Sequence, residues 1–222
     1  TADPNMATSD KMIGSSAAWA AGYTGAGSRI AIIDTGADVD HPSLDPDALK
    51  YALQGSNATI MTEADLTDEV LNQLNAYTRK AGLTAADFYV NEKIPFGFNY
   101  VDADTDITHD NDTQGDHGSH VTGIAAGNRF VKDEAGNYVA ALDSVMTQGV
   151  APDAQILTMK VFGKGGGAYD SDYMVAIEDA MVLGADAANL SLGGSFPGYS
   201  EYTEEKYRHI LDEIVGSGMV VT

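Results

Sequence analysis

Ser28-Arg29-Ile30-Ala31-Ile32-Ile33-Asp34-Thr35-Gly36 is the stretch whose reading decides the fold. A short apolar run ends in an acid and a turn, with Gly25, Gly27 and Gly36 bounding it. Such a run between glycines reads as a strand buried on both faces, the kind parallel sheets are made of. Asp34 then stands at the strand's C-terminal end, the edge of an open α/β sheet where ligands and catalytic groups gather. Outward from this strand the pattern alternates. Strand-like segments recur at 96–101, 154–162, 185–192 and from Met219. Residues 117–127 are small and apolar enough for a tightly packed helix, helical spacing recurs at 173–183 with Met174, Ile177, Ala180 and Met181 on one face, and 207–215 reads as helical again. The expected class is therefore α/β, a mainly parallel sheet with helices on both faces.

Residues 45–95 break the alternation. Thr62 can cap a helix whose first turn carries Glu63 and Asp65, and Val70, Leu71, Leu74 and Tyr77 follow at helical spacing. Arg79 and Lys80 then lie near the expected end, with Gly82 beyond. The segment is expected to be a helical insertion over the surface of a single domain, residues 1–222, rather than a domain of its own. An acidic loop from Asp102 to Asp116 leads into His117.

Composition removes several classes of function. The formal charge of −21, from 33 acidic against 12 basic residues, would repel nucleic acid and anionic lipid. No apolar stretch reaches the length of a membrane span. The absence of cysteine excludes disulfides, thiolate chemistry and Cys-ligated zinc in this segment.

Taken singly, the candidate chemical groups say little. An Asp followed by Thr-Gly at a strand end often only makes a turn. His117 and His120 stand three apart on one helix, which raises a metal pair, but no Glu sits at the spacing of H-E-x-x-H. Gly163 to Gly167 lacks both the G-K-[ST] ending and the spaced glycines of a phosphate-binding loop.

Four segments taken together do more. Asp34-Thr35-Gly36, His117-Gly118-Ser119-His120-Val121-Thr122-Gly123, Gly165-Gly166-Gly167-Ala168-Tyr169 and Asn189-Leu190-Ser191-Leu192-Gly193-Gly194 stand in this order along the chain. They resemble the Asp motif, the His motif and the two substrate-binding strands of the subtilisin-like serine proteases. The family's His motif is commonly H-G-T-H-V-A-G, so Ser119 and Thr122 are mild departures. The resemblance implies a subtilisin-like three-layer fold, incomplete in this chain, and an endopeptidase acting on polypeptides. His117 would be the base that activates a serine, and Asp34 the group that orients the imidazole. The order Asp then His is that of subtilisin. Gly165, Gly166 and Gly167 on one side, and Ser191, Leu192, Gly193 and Gly194 on the other, would receive a peptide as an added strand. His120 is read as a structural helix histidine.

The family's G-T-S-M-A-x-P motif is absent from the sequence, and Gly216-Ser217-Gly218-Met219 lacks its Ala and Pro. The serine and the oxyanion-hole Asn are expected beyond Thr222, in a C-terminal remainder that would be this segment's partner. Without that donor and nucleophile the segment alone is expected to be inactive. The long stretch between Asp34 and His117 resembles the cell-envelope proteinases of Gram-positive bacteria, the lactocepin and C5a-peptidase type. That implies a secreted or wall-associated protein. No cofactor is expected for the chemistry. A structural Ca²⁺ is the one ion expected, at Asp102, Asp104, Asp106, Asp110 and Asp112, although their spacing is not that of an EF-hand. The alternatives are a non-catalytic binding or adhesion module on a degenerate protease fold, and an acidic Ca²⁺-binding structural domain.

Overall fold

The computed structural model describes residue 9 and residues 11–108, 115–193 and 201–222. The chain runs through α1 (Ser15–Ala20), β1 (Arg29–Asp34), a 3-10 helix at Pro42–Leu44 and α2 (Pro46–Ala52). Next come a second 3-10 helix at Glu63–Asp65, α3 (Asp68–Leu71), α4 (Asn75–Arg79) and α5 (Ala85–Phe88). β2 (Phe96–Asn99), α6 (His117–Ala126), β3 (Phe130–Lys132), β4 (Tyr138–Ala140) and α7 (Ala141–Ser144) follow. β5 (Gln155–Lys160), α8 (Asp170–Val182), β6 (Ala187–Asn189), α9 (Glu201–Ser217) and β7 (Val220–Val221) complete the described elements.

The main sheet has five strands in the order β2-β5-β1-β6-β7, and every pairing in it is parallel. β3 and β4 form a separate antiparallel pair. β1 is central, flanked by β5 and β6, and the C-terminal ends of all three point the same way.

Successive side chains of a strand face opposite ways, and β1 shows what this does. Ala31 and Ile33 belong to a core shared with Met174, Ala176, Ile177 and Ala180 of α8. Ile32 belongs to the opposite core with Ala126 and Ile156, against which Val121 and Ala125 of α6 also pack. Both faces of the sheet are thus covered by helices, as the apolar strand reading requires. Each Ile or Phe buried fully in these layers contributes about 1.5–3 kcal/mol. By the same alternation Asp34 shares the face of Ile32, the face covered by α6.

The helix expected from Thr62 onward is instead three short pieces. Asp65 accepts from the Thr62 backbone and hydroxyl and closes the first piece as a capping box. Thr67 caps α3 through Val70 N–H at 3.3 Å. Leu74 is then extended, at ψ 133°, and α4 starts afresh at Asn75. The new start is made from α8: the Asp179 carboxylate accepts from Asn75 N–H at 2.7 Å and from Ala76 N–H at 2.9 Å. Among the described residues no helix is long and apolar enough to cross a membrane.

Candidate active site

Asp34 ends β1 and is 1% exposed. Its Oδ1 accepts from Thr35 N–H at 2.7 Å and lies 2.8 Å from His117 Nδ1. Oδ2 is buried and has no hydrogen-bond partner among the described residues. A buried carboxylate oxygen without a donor is costly, so the neighbouring imidazole is the group best placed to offset the charge. His117 opens α6 and keeps about half of its side chain exposed, at 51%. With Nδ1 committed to Asp34, Nε2 is the nitrogen left for an incoming group.

The pair meets because strand and helix approach at backbone distance. A Cβ on Gly118 would stand 2.1 Å from Gly36 O and 3.1 Å from Asp34 Oδ1, so only glycine fits. Gly36 itself has φ +107°, and a Cβ there would lie 2.2 Å from Ile107 O. Hydrogen bonds then lock the corner. Gly118 N–H donates to Thr35 Oγ1 at 2.8 Å, Asp38 N–H to Ser119 Oγ at 2.8 Å, and Ala37 N–H to Ile107 O at 2.9 Å. Lys160, buried opposite Asp34 in the β1–β5 register, donates through Nζ to Thr35 O. Thr35, Ser119 and Lys160 support the pair; the sequence placed Thr35 and Ser119 in the two motifs without giving either a role, and Lys160 was not singled out. For Thr35 the signal was the Thr-Gly after Asp34; for Lys160 it was a lysine at the end of an apolar strand.

The two glycine-containing segments flank this corner, because β5 and β6 are the neighbours of β1. Gly165, Gly166 and Gly167 follow β5 as an irregular segment with Gly166 at φ +77° and Gly167 at φ +84°. They carry no strand pairing, so the edge expected there is a loop in this structure rather than a strand. Ser191, Leu192 and Gly193 follow β6, with Ser191 Oγ donating to Asn189 Oδ1 at 2.9 Å. Gly194 lies outside the described residues. β7 pairs with β6, and Leu190 N–H donates to Thr222 O at 2.8 Å, so the chain at Thr222 runs beside this second segment.

Among the described residues no group of three or more His, Asp or Glu side chains is arranged to hold a metal. In the acidic loop, Asp104 accepts from Asp106 N–H at 3.0 Å, and Asp106 from the hydroxyl of Thr108 at 2.7 Å. Asp102 accepts from Asn99 Nδ2 at 3.0 Å and Lys164 N–H at 3.1 Å. Asp102, Asp104 and Asp106 tie loops together through these bonds, and Asp110 and Asp112 lie outside the described residues.

A parallel α/β sheet with an Asp–His pair at its C-terminal edge is the frame of a subtilase, and residues 25–221 match the model of the subtilase family. The chain belongs to that family. It is 34% identical over 198 residues to the PI-type proteinase of Lactococcus lactis subsp. cremoris, covering 86% of this chain and 9% of that protein. It is 31% identical over 197 residues to the minor extracellular protease Vpr of Bacillus subtilis (strain 168), covering 86% of this chain and 17% of that protein. It is 29% identical over 183 residues to a C5a peptidase of Streptococcus pyogenes serotype M6, covering 82% of this chain and 13% of that protein. The chain thus spans less than a fifth of the length of these relatives.

Proposed function

We propose that this chain is the Asp–His portion of a serine endopeptidase, the serine and the oxyanion-hole Asn being supplied by further chain of the same protein. The observation that carries this reading is the 2.8 Å contact between His117 Nδ1 and buried Asp34 at the sheet's C-terminal edge, with about half of the His117 side chain exposed. In the reaction, His117 Nε2 takes the serine proton as the hydroxyl attacks the scissile carbonyl, then returns it to the leaving amine. Asp34 holds the Nδ1–H tautomer and stabilises the imidazolium between those two transfers. A polypeptide substrate lies between the segments at 165–167 and 191–194, pairing its backbone with theirs. Residues 1–222 alone do not hydrolyse peptides on this reading. The protein is secreted or wall-associated in a Gram-positive bacterium, a reading supported by the extracellular protease among its relatives.

Replacing His117 by Ala in the full-length protein tests the assignment. Turnover of a peptide substrate is expected to fall about 10⁴-fold or more, with KM little changed. Near-normal turnover would contradict the role given to His117 and favour a binding module on the same fold.

A further inference from the structure

Arg79, at the C-terminus of α4, reaches out of the 45–95 segment to three places at once. Nη1 donates to Asp172 Oδ1 at 2.7 Å and to the carbonyl of Tyr100, while Nη2 donates to Ser171 O at 3.0 Å. Asp172 is 6% exposed and sits in the first turn of α8. The guanidinium therefore joins the insertion, the residue after β2 and the start of α8. Its planar fork suits this, since several donors can be satisfied without moving the side chain.

Those anchor points bracket the glycine segment. Residues 165–169 end where α8 begins, beside Ser171 and Asp172. At the other end, Lys164 N–H donates to Asp102 Oδ2 at 3.1 Å, and a Cβ on Gly163 would stand 2.6 Å from Val101 Cγ1. The turn that supplies Val101 and Asp102 starts at Asn99, whose Oδ1 accepts from their N–H groups at 3.2 and 3.1 Å. Tyr100 lies inside that turn, so Arg79 holds the turn as well as the helix. Between the anchors, a Cβ on Gly165 or Gly167 would meet nothing within 4 Å. These two glycines have no side-chain packing to fix them, the stretch being held within itself by Gly166 N–H to Gly163 O at 3.0 Å and by Ala168 against the core, and glycine loses more backbone freedom on ordering than any other residue.

We propose that Arg79 is a positioning residue for the substrate edge. By fixing Tyr100 and the first turn of α8, it holds both ends of residues 164–169, so that less backbone freedom is lost when an extended peptide pairs with them. Asp102 completes the same device at the Lys164 end. The proposal rests on the reading of 165–167 as a substrate edge. It differs from a purely structural role for Arg79 in what it predicts for substrates of different length.

The test uses the full-length protein and two substrates. One is a peptide extending several residues to the N-terminal side of the scissile bond; the other is a single-residue ester that does not reach the glycine segment. In Arg79→Met, kcat/KM for the peptide is expected to fall at least about tenfold, mostly through KM. For the ester it should stay within about twofold. Arg79→Lys keeps the charge without the fork and should recover only part of the loss. Asp102→Ala, which leaves the ion pair with Asp172 in place, should show the same selective loss and supplies the answer if Arg79→Met does not fold. Equal losses on both substrates, or none on either, in a variant that folds would overturn the inference alone. A wild-type protein that cleaves neither substrate would overturn the protease reading and this inference with it.

Discussion

The corner where β1 meets α6 and the seam where α4 meets α8 are both buried, and they are held by opposite means. At the corner, main chain lies against main chain. Gly118 has no room for a methyl group beside Gly36 O, and the polar contacts are short bonds between backbone and the side chains of Asp34, Thr35 and Ser119. At the seam, long side chains span the gap. Asp179 takes Asn75 N–H, Ala76 N–H, the Asn75 amide and Tyr100 OH, while Arg79 ties the other end of α4. Burial pushes the Asp179 carboxyl up, and burial with the neighbouring Asp179 charge pushes the Tyr100 phenol well up. The difference teaches where precision resides. Backbone packing sets Asp34 against His117, and side-chain clamps attach α4 to α8 and Tyr100.

Two substitutions can break or sharpen that contrast, the first with the larger effect. Gly118→Ala requires α6 to move from β1, because the added carbon would lie 2.1 Å from a carbonyl oxygen. Displacing His117 by about 1 Å is expected to cost about 10²-fold or more in turnover by the full-length protein. Hydrogen exchange of the β1 and α6 amides should quicken as well. Unchanged turnover and exchange would show the corner to be softer than described. Asp179→Ala removes a buried acceptor and strands several donors, an expected local cost of about 1–3 kcal/mol. Amides of α4 should then exchange about 10–100-fold faster, while turnover of a single-residue ester stays within about twofold. A loss of ester turnover as large as that in Gly118→Ala would erase the distinction between corner and seam.

The same contrast explains what could be read without coordinates. β1 was legible because its signals are local, an apolar run that ends in an acid and a turn, whereas Asp34 and His117 were brought together only by the resemblance of four motifs taken in order. The helices expected at 117–127, 173–183 and 207–215 were legible from local pattern as well; the first two overrun the observed His117–Ala126 and Asp170–Val182 by one residue, and the third lies within Glu201–Ser217. The insertion was not. A single helix looked consistent from Thr62 to Gly82, yet α4 begins at Asn75 because a carboxylate 104 residues away caps it. Nothing near Asn75 announces that partner. Arg79 likewise read as a basic residue near a helix end, although its partners lie at Tyr100, Ser171 and Asp172. The neighbours of β1 were also hidden, since β5 is distant in sequence and no local pattern names it. The glycines at 165–167 could be read as an open edge, but their loop form depends on anchors outside the segment.

The most direct test of the account is to label the full-length protein with a serine-directed phosphonate and identify the modified residue. The expected result is one labelled serine outside residues 1–222, with labelling lost in His117→Ala. No labelling of the wild-type protein, or a label on Ser119 or Ser191, would contradict it.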